Sequence, residues 1–70
     1  MRDKLKRLYA LAAMQELSTY DARHLDSAHK AINTQELDHV IENTMSRSVQ
    51  DYALVKRGHF LNKDNDSRGL

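Results

Sequence analysis

The sequence predicts an all-α fold, a small bundle of two to four helices that is completed by dimerisation. The chain of 70 residues contains no Pro and only two Gly, helix formers dominate it, and no apolar alternation typical of a strand is present. A chain of this length buries only about 60% of its unfolded surface, so a monomer is marginally stable. Because there is no Cys, neither disulfides nor thiolate metal sites supplement the core, and self-association or docking on a partner remains as the common alternative.

The first helix is predicted over residues 3–17. Apolar side chains at positions 5, 8, 9 and 12 share one face, but those at 11, 13, 14 and 17 occupy the others. A helix that is apolar all round is normally covered on several sides, so we expect this one to be central. Since one chain cannot supply that cover, we predict a homodimer through Leu11, Met14 and Leu17, with Leu11 and Met14 near a two-fold axis.

Two capping signals place the next helices. "STYD" (18–21) offers an N-cap with an acid three residues later and predicts a helix over about 20–32. In "NTQE" (33–36), Asn33 can accept from the backbone of Glu36 while Glu36 reaches back, which predicts a helix start near Thr34.

The apolar stripe that follows keeps one helical phase over positions 37, 40, 41, 44, 45, 48, 52, 55 and 59. This favours a single helix over 34–57, ended by Gly58 in the left-handed conformation. A break at Thr44 or Ser46 is the competing interpretation, because both are good N-caps. Residues 1–60 form the helical domain, and the polar, aperiodic "LNKDNDSRGL" (61–70) predicts a flexible tail.

One alternative function comes from a resemblance. "TQEL" (34–37) and "SRSV" (46–49) resemble the first helix and the start of the recognition helix in helix-turn-helix repressors of phages and bacteria. The resemblance implies a DNA-binding regulator that uses residues 46–57, with Arg47 and Gln50 at base edges and Lys56 and Arg57 at phosphates. The chain departs from that pattern, because no Gly marks the turn and the spacing is about one residue too long. Its net charge of +1 also lacks the concentrated basic field of a nucleic-acid binder.

A second resemblance covers nine residues. "TQELDHVIE" (34–42) resembles the signature of small two-helix aspartyl phosphatases that act on response regulators, which implies a functional role for Asp38. Thr34 stands where that family has Ser, and the preceding segment is too long to align with its first helix. Glu-Leu-Asp is also ordinary composition for a helix start, and we adopt that interpretation.

The acidic and His residues raise the question of a metal site. Three acid-x-x-His pairs are present, namely Asp21/His24, Asp26/His29 and Glu36/His39. Carboxylate metal sites of helical bundles need further inward-facing glutamates, and only Glu16 and Glu42 remain. We therefore interpret the pairs as solvent-exposed and expect no metal and no cofactor. No nucleophile and base can be assigned to one site, and 70 residues rarely enclose a 300 Å³ pocket, so we expect no enzyme.

The function that the sequence favours is that of a small helical regulatory or inhibitory protein that binds a protein partner without catalysis. The candidate anchors are the larger apolar side chains Tyr9, Tyr20, Met45, Tyr52 and Phe60. For Met45 and Tyr52 a position in the core is the competing interpretation. No apolar run reaches the roughly 20 residues of a membrane span, and the lack of Cys fits a reducing compartment, so we expect a cytoplasmic protein of bacterial or phage type.

Overall fold

The structure is a computed structural model that describes the backbone of residues 2–68 and the side chains of residues 4–62. Within this part of the chain four helices follow one another: α1 (Arg2–Ala13), α2 (Thr19–Lys30), α3 (Thr34–Asn43) and α4 (Arg47–Arg68). The predicted all-α bundle is confirmed. In the stretch from 2 to 68, no helix combines the length and the apolar character needed to cross a bilayer.

A thin core lies between the four helices, and α4 contacts each of the other three. Its buried members are mostly small or branched: Ala12, Leu25, Ala28, Ala31, Leu37, Val40, Val49, Tyr52 and Ala53. Half-buried apolar side chains pack around them, namely Leu5, Leu8, Tyr9, Leu17, Ile41 and Phe60. The many Ala residues let the helix backbones approach closely, but they contribute little apolar area each.

Helix α1 is shorter than predicted. The last full helical hydrogen bond runs from the Met14 amide to the Ala10 carbonyl, after which Gln15 bonds to Ala12 in a tighter turn. The chain is extended at Ser18, the N-cap of α2. Only the inner face of α1 meets the core, whereas Leu11 and Met14 are 47% and 79% exposed. In the single chain α1 is therefore covered on one face only, and cover on several sides stays a prediction for an assembly.

Both predicted N-caps are confirmed. The Ser18 hydroxyl accepts from the Asp21 amide at 3.1 Å, and α2 begins at Thr19. The Asn33 side chain accepts from the Glu36 amide at 2.9 Å, and Glu36 Oε2 accepts from the Ile32 amide. These bonds satisfy amides that have no partner within the helix.

The single helix predicted over 34–57 is wrong, and the competing break at residues 44–46 is confirmed. Thr44 is extended, with φ −74° and ψ 143°, and the Ser46 hydroxyl accepts from the Val49 amide at 3.3 Å to start α4. The break also changes which positions of the following helix face the core. In α4 the buried face carries Val49, Tyr52 and Ala53, whereas the continuous pattern had placed position 48 inward.

Gly58 does not end the last helix. Helix α4 continues to Arg68, and no glycine in the described chain has a positive φ. A Cβ placed on Gly58 would meet no atom within 4 Å, so neither a left-handed cap nor a close approach requires glycine there. The helix therefore extends into residues 61–68 of the predicted tail, while residues 69 and 70 lie outside the described residues.

Candidate protein-binding surface

A buried carboxylate ties the start of α2 to the turn between α3 and α4. Asp21 is only 9% exposed, and its Oδ1 accepts from the Met45 amide and from the Thr44 hydroxyl, both at 2.9 Å. Its Oδ2 accepts from the Ser18 hydroxyl at 3.3 Å. The Thr44 hydroxyl oxygen also accepts from the Ser46 amide at 3.2 Å, which extends the network into the cap of α4. We call this set of hydrogen bonds the Asp21 network.

The Asp21 network favours the charged carboxylate. The Met45 amide lowers the pKa of Asp21 below its ordinary value of 3.8, and the Thr44 and Ser18 hydroxyls and His24 act in the same direction. Burial opposes them, but the hydrogen bonds outweigh it. Such charge-assisted bonds are stronger than neutral ones, so the turn is held by an ionised group.

Two residues that adjoin the Asp21 network along the chain have exposed apolar side chains. Met45 is 86% exposed although its backbone amide is fixed by Asp21, and Tyr20, the neighbour of Asp21 in α2, is 54% exposed. The Tyr20 ring meets the ring of His24 edge-on with centroids 4.4 Å apart, which orients it on the helix surface. We call Tyr20 and Met45 together the Tyr20–Met45 surface.

The other three predicted anchors lie in or against the core. Tyr52 is 4% exposed and its hydroxyl lies 3.2 Å from Nδ1 of His29. The Tyr9 ring is 4.6 Å from the His29 ring and 5.6 Å from that of Tyr52. Burial, with a smaller contribution from Tyr9, raises the pKa of Tyr52, so the hydroxyl stays protonated at neutral pH. Phe60 packs against the same core, and only Tyr20 and Met45 remain exposed among the five.

Three of the four residues named for DNA binding hold the fold together. Gln50 Nε2 donates to the Ile41 carbonyl at 3.3 Å. Lys56 Nζ donates to the carbonyls of Ala28 and His29 at 2.8 and 2.7 Å, at the C-terminus of α2.

The third of these residues is Arg57, whose Nε donates to Asp38 Oδ1 at 2.6 Å. Arg47 differs, because its side chain is 88% exposed and its ion pair, with Asp51 at 3.7 Å, lies within its own helix. Asp38, the residue singled out by the phosphatase resemblance, is thus engaged in an ion pair between α3 and α4. No sequence signal had indicated this pairing, because it joins residues far apart in the chain.

A groove of about 460 Å³ runs between α2 and α3, lined by His24, Asp26, Ser27, Lys30, Glu36, His39 and Val40. The groove is open to solvent, so it differs from the enclosed pocket of 300 Å³ that we did not expect in so short a chain. Its charges are of both signs, and Lys30 is paired with Asp26 at 3.2 Å. His24 Nε2 is buried with no hydrogen-bond partner among the described atoms. In the described chain, no three His, Asp or Glu side chains are placed to hold a metal ion.

The described chain is thus a four-helix protein in which the exposed Tyr20 and Met45 adjoin one buried carboxylate, Asp21, and its hydrogen-bond partners. Comparison with protein-family models, with curated proteins and with solved structures found no match to this chain.

Proposed function

We propose that this chain is a small helical regulatory or inhibitory protein that acts by binding a protein partner, without catalysis, through the Tyr20–Met45 surface. The observation that carries the proposal is the exposure of Met45 on a backbone that the Asp21 network holds in place. A backbone that is already fixed has little freedom left to lose on binding, which favours affinity. Met also adapts well to apolar pockets of a partner, and Tyr is enriched among the side chains that anchor interfaces.

The proposal is tested by site-specific photo-crosslinking in the native host. A photoreactive residue at position 45 is expected to give one major adduct, which excess unlabelled chain suppresses. The matched control is Ile32, which is 80% exposed and lies beyond the opposite end of α2. Adducts of equal yield from positions 45 and 32, or no suppression by unlabelled chain, would contradict the proposal.

Once the partner is captured, its affinity for alanine variants shows which exposed side chains contribute to binding and which do not. Met45→Ala and Tyr20→Ala are each expected to weaken binding by about fivefold or more, the effect of losing an interface anchor. Ile32→Ala is expected to leave the affinity unchanged within about twofold. All three variants change exposed side chains, so the helical circular dichroism signal should stay that of the parent chain.

DNA binding is the second candidate, favoured by the three-residue turn between α3 and α4 and by the exposed Arg47 at the start of α4. It ranks lower because Gln50, Lys56 and Arg57 donate their side-chain hydrogen bonds within the fold. Titration with duplex DNA over a range of salt tests it. Sequence-dependent binding that Arg47→Ala weakens would replace protein binding as the proposed function.

A further inference from the structure

Methionine supplies all the sulfur in these 70 residues, because the sequence has three Met and no Cys. Met45 is 86% exposed and Met14 is 79% exposed, while the side chain of Met1 lies outside the described residues. Oxidants in solution reach an exposed thioether, and within this chain no thiolate competes for them. Met45 and Met14 are therefore the two described sulfur atoms that are open to oxidation.

The fold holds the backbone of Met45 and leaves its side chain in solvent. The Met45 amide donates to Asp21 Oδ1 at 2.9 Å, whereas the Met45 side chain is the most exposed of the large apolar side chains described. A chemical change at the sulfur therefore alters the Tyr20–Met45 surface without removing any hydrogen bond of the Asp21 network. Oxidation at this position changes the surface and leaves the fold intact.

We propose that oxidation of Met45 by a hydroperoxide turns the Tyr20–Met45 surface from a binding state into a non-binding one, a switch that rests on the function proposed above. The thioether sulfur attacks one oxygen of hydrogen peroxide, and the O–O bond breaks as the S–O bond forms. The departing hydroxide takes the proton of the transferred oxygen and leaves as water. The sulfur loses two electrons and becomes a sulfoxide, while the peroxide is reduced.

The sulfoxide opposes binding because it is polar where the thioether is apolar. A partner pocket that accepts Met45 through apolar contacts removes water from the sulfoxide oxygen without offering a donor in return. The affinity is therefore expected to fall by about tenfold or more. Methionine sulfoxide reductases, one for each epimer, restore the thioether, and a dithiol that becomes a disulfide supplies the electrons while the oxygen leaves as water.

The oxidation itself is tested without a partner. Met14→Leu is treated with dilute hydrogen peroxide, and peptide mass mapping follows the gain of one oxygen atom at Met45. The rate is expected to lie within about threefold of that of free methionine, and the helical circular dichroism signal should not change. A rate more than about tenfold slower, or a loss of helical signal as Met45 is oxidised, would overturn the proposal.

The effect on binding is tested with the partner captured by crosslinking from position 45. In Met14→Leu, peroxide should weaken binding by about tenfold or more, and the two reductases with dithiothreitol should restore the affinity to within about twofold. Met45→Leu is the matched control, in which Met14 remains oxidisable. Whatever its starting affinity, peroxide should change it by less than about twofold. Met1 is present in both variants, so its oxidation affects them equally.

The outcomes separate this switch from the proposed function. Peroxide that leaves the affinity of Met14→Leu unchanged, or that weakens both variants equally, would overturn the switch while protein binding still stands. The absence of any suppressible adduct from position 45 would overturn the proposed function and the switch with it.

Discussion

At the scale of single residues, the charge of Asp21 is the feature on which the turn between α3 and α4 most depends. Its carboxylate is the acceptor for the Met45 amide and for the Thr44 and Ser18 hydroxyls. Removing the carboxylate would leave these donors without their partner in a partly buried site. The Thr44 hydroxyl and the Met45 amide belong to the segment that precedes α4. Loss of the carboxylate would therefore destabilise that turn first.

The pKa of Asp21 predicts a loss of stability in acid. Because the folded pKa lies below the ordinary 3.8, the stabilisation is fully present above about pH 4 and is lost as the pH falls through the folded value. Asp21→Asn keeps an acceptor oxygen but no titrating charge. Thermal melts of both chains should therefore show the parent more stable at neutral pH, with the difference shrinking below about pH 4. A difference that is independent of pH would contradict this role of the charge.

Lys56 gives a second prediction at this scale. Its ammonium group donates to two carbonyls at the end of α2, where a cation also complements the helix dipole. Burial lowers the pKa of Lys56, with Glu36 acting in the opposite direction. Lys56→Met keeps the aliphatic stem and is expected to lower the free energy of unfolding by about 1–2 kcal/mol. Lys30→Met, which removes only an exposed pair with Asp26, should change it by less than about 0.5 kcal/mol in the same chemical denaturation experiment.

At the scale of helices, Gly58 is the residue whose role differs most from the sequence interpretation. A left-handed cap would make any side chain at this position unfavourable. In the structure the residue lies inside α4 with open space around it, so Gly58→Ala should raise the free energy of unfolding by about 0.5–1 kcal/mol. Urea denaturation of the two chains measures this, and a destabilised alanine variant would favour the cap instead.

The sequence predicted helix starts better than helix ends. Ser18 and Asn33 lie three residues before an acid, and that local pattern is enough to mark a start. The break before α4 was only one of two interpretations, because Thr44 and Ser46 also suit a continuous helix. The hydrogen bond from the Thr44 hydroxyl to the Asp21 carboxylate decides between the two interpretations. Asp21 lies 23 positions before Thr44 in the chain.

Only part of the candidate surface was predicted, because the rest also depends on contacts between residues distant in the chain. Tyr20 and Met45 were among the anchors named, but so were Tyr9 and Tyr52, and nothing in the composition distinguishes the two pairs. The packing of Tyr9 and Tyr52 around His29 depends on how α1, α2 and α4 meet. The Asp21 network was missed because an acid in the first turn of a helix is usually an exposed capping residue.

At the scale of the whole molecule, the end of α4 extends beyond the core. Leu61 and Asn62 are both exposed, and Phe60 is the last described side chain packed on the core. A chain ending at Leu61 is therefore expected to keep the melting temperature of the full chain and to lose helical signal only in proportion to the residues removed. A fall in the melting temperature of more than about 4 °C, equivalent to roughly 1 kcal/mol in a domain of this size, would show that the removed residues stabilise the fold.

The placement of the Tyr20–Met45 surface depends on the hydrogen bond from the Met45 amide to Asp21. That amide lies in a turn between two helices and is 2.9 Å from the carboxylate oxygen. Amide hydrogen exchange of Met45, followed by NMR at neutral pH, measures this bond directly. Exchange slowed well below the rate of an unstructured peptide, and accelerated in Asp21→Ala while amides of the α1 core face stay protected, is the predicted result. Exchange of the Met45 amide at the unstructured rate in the parent chain would contradict it.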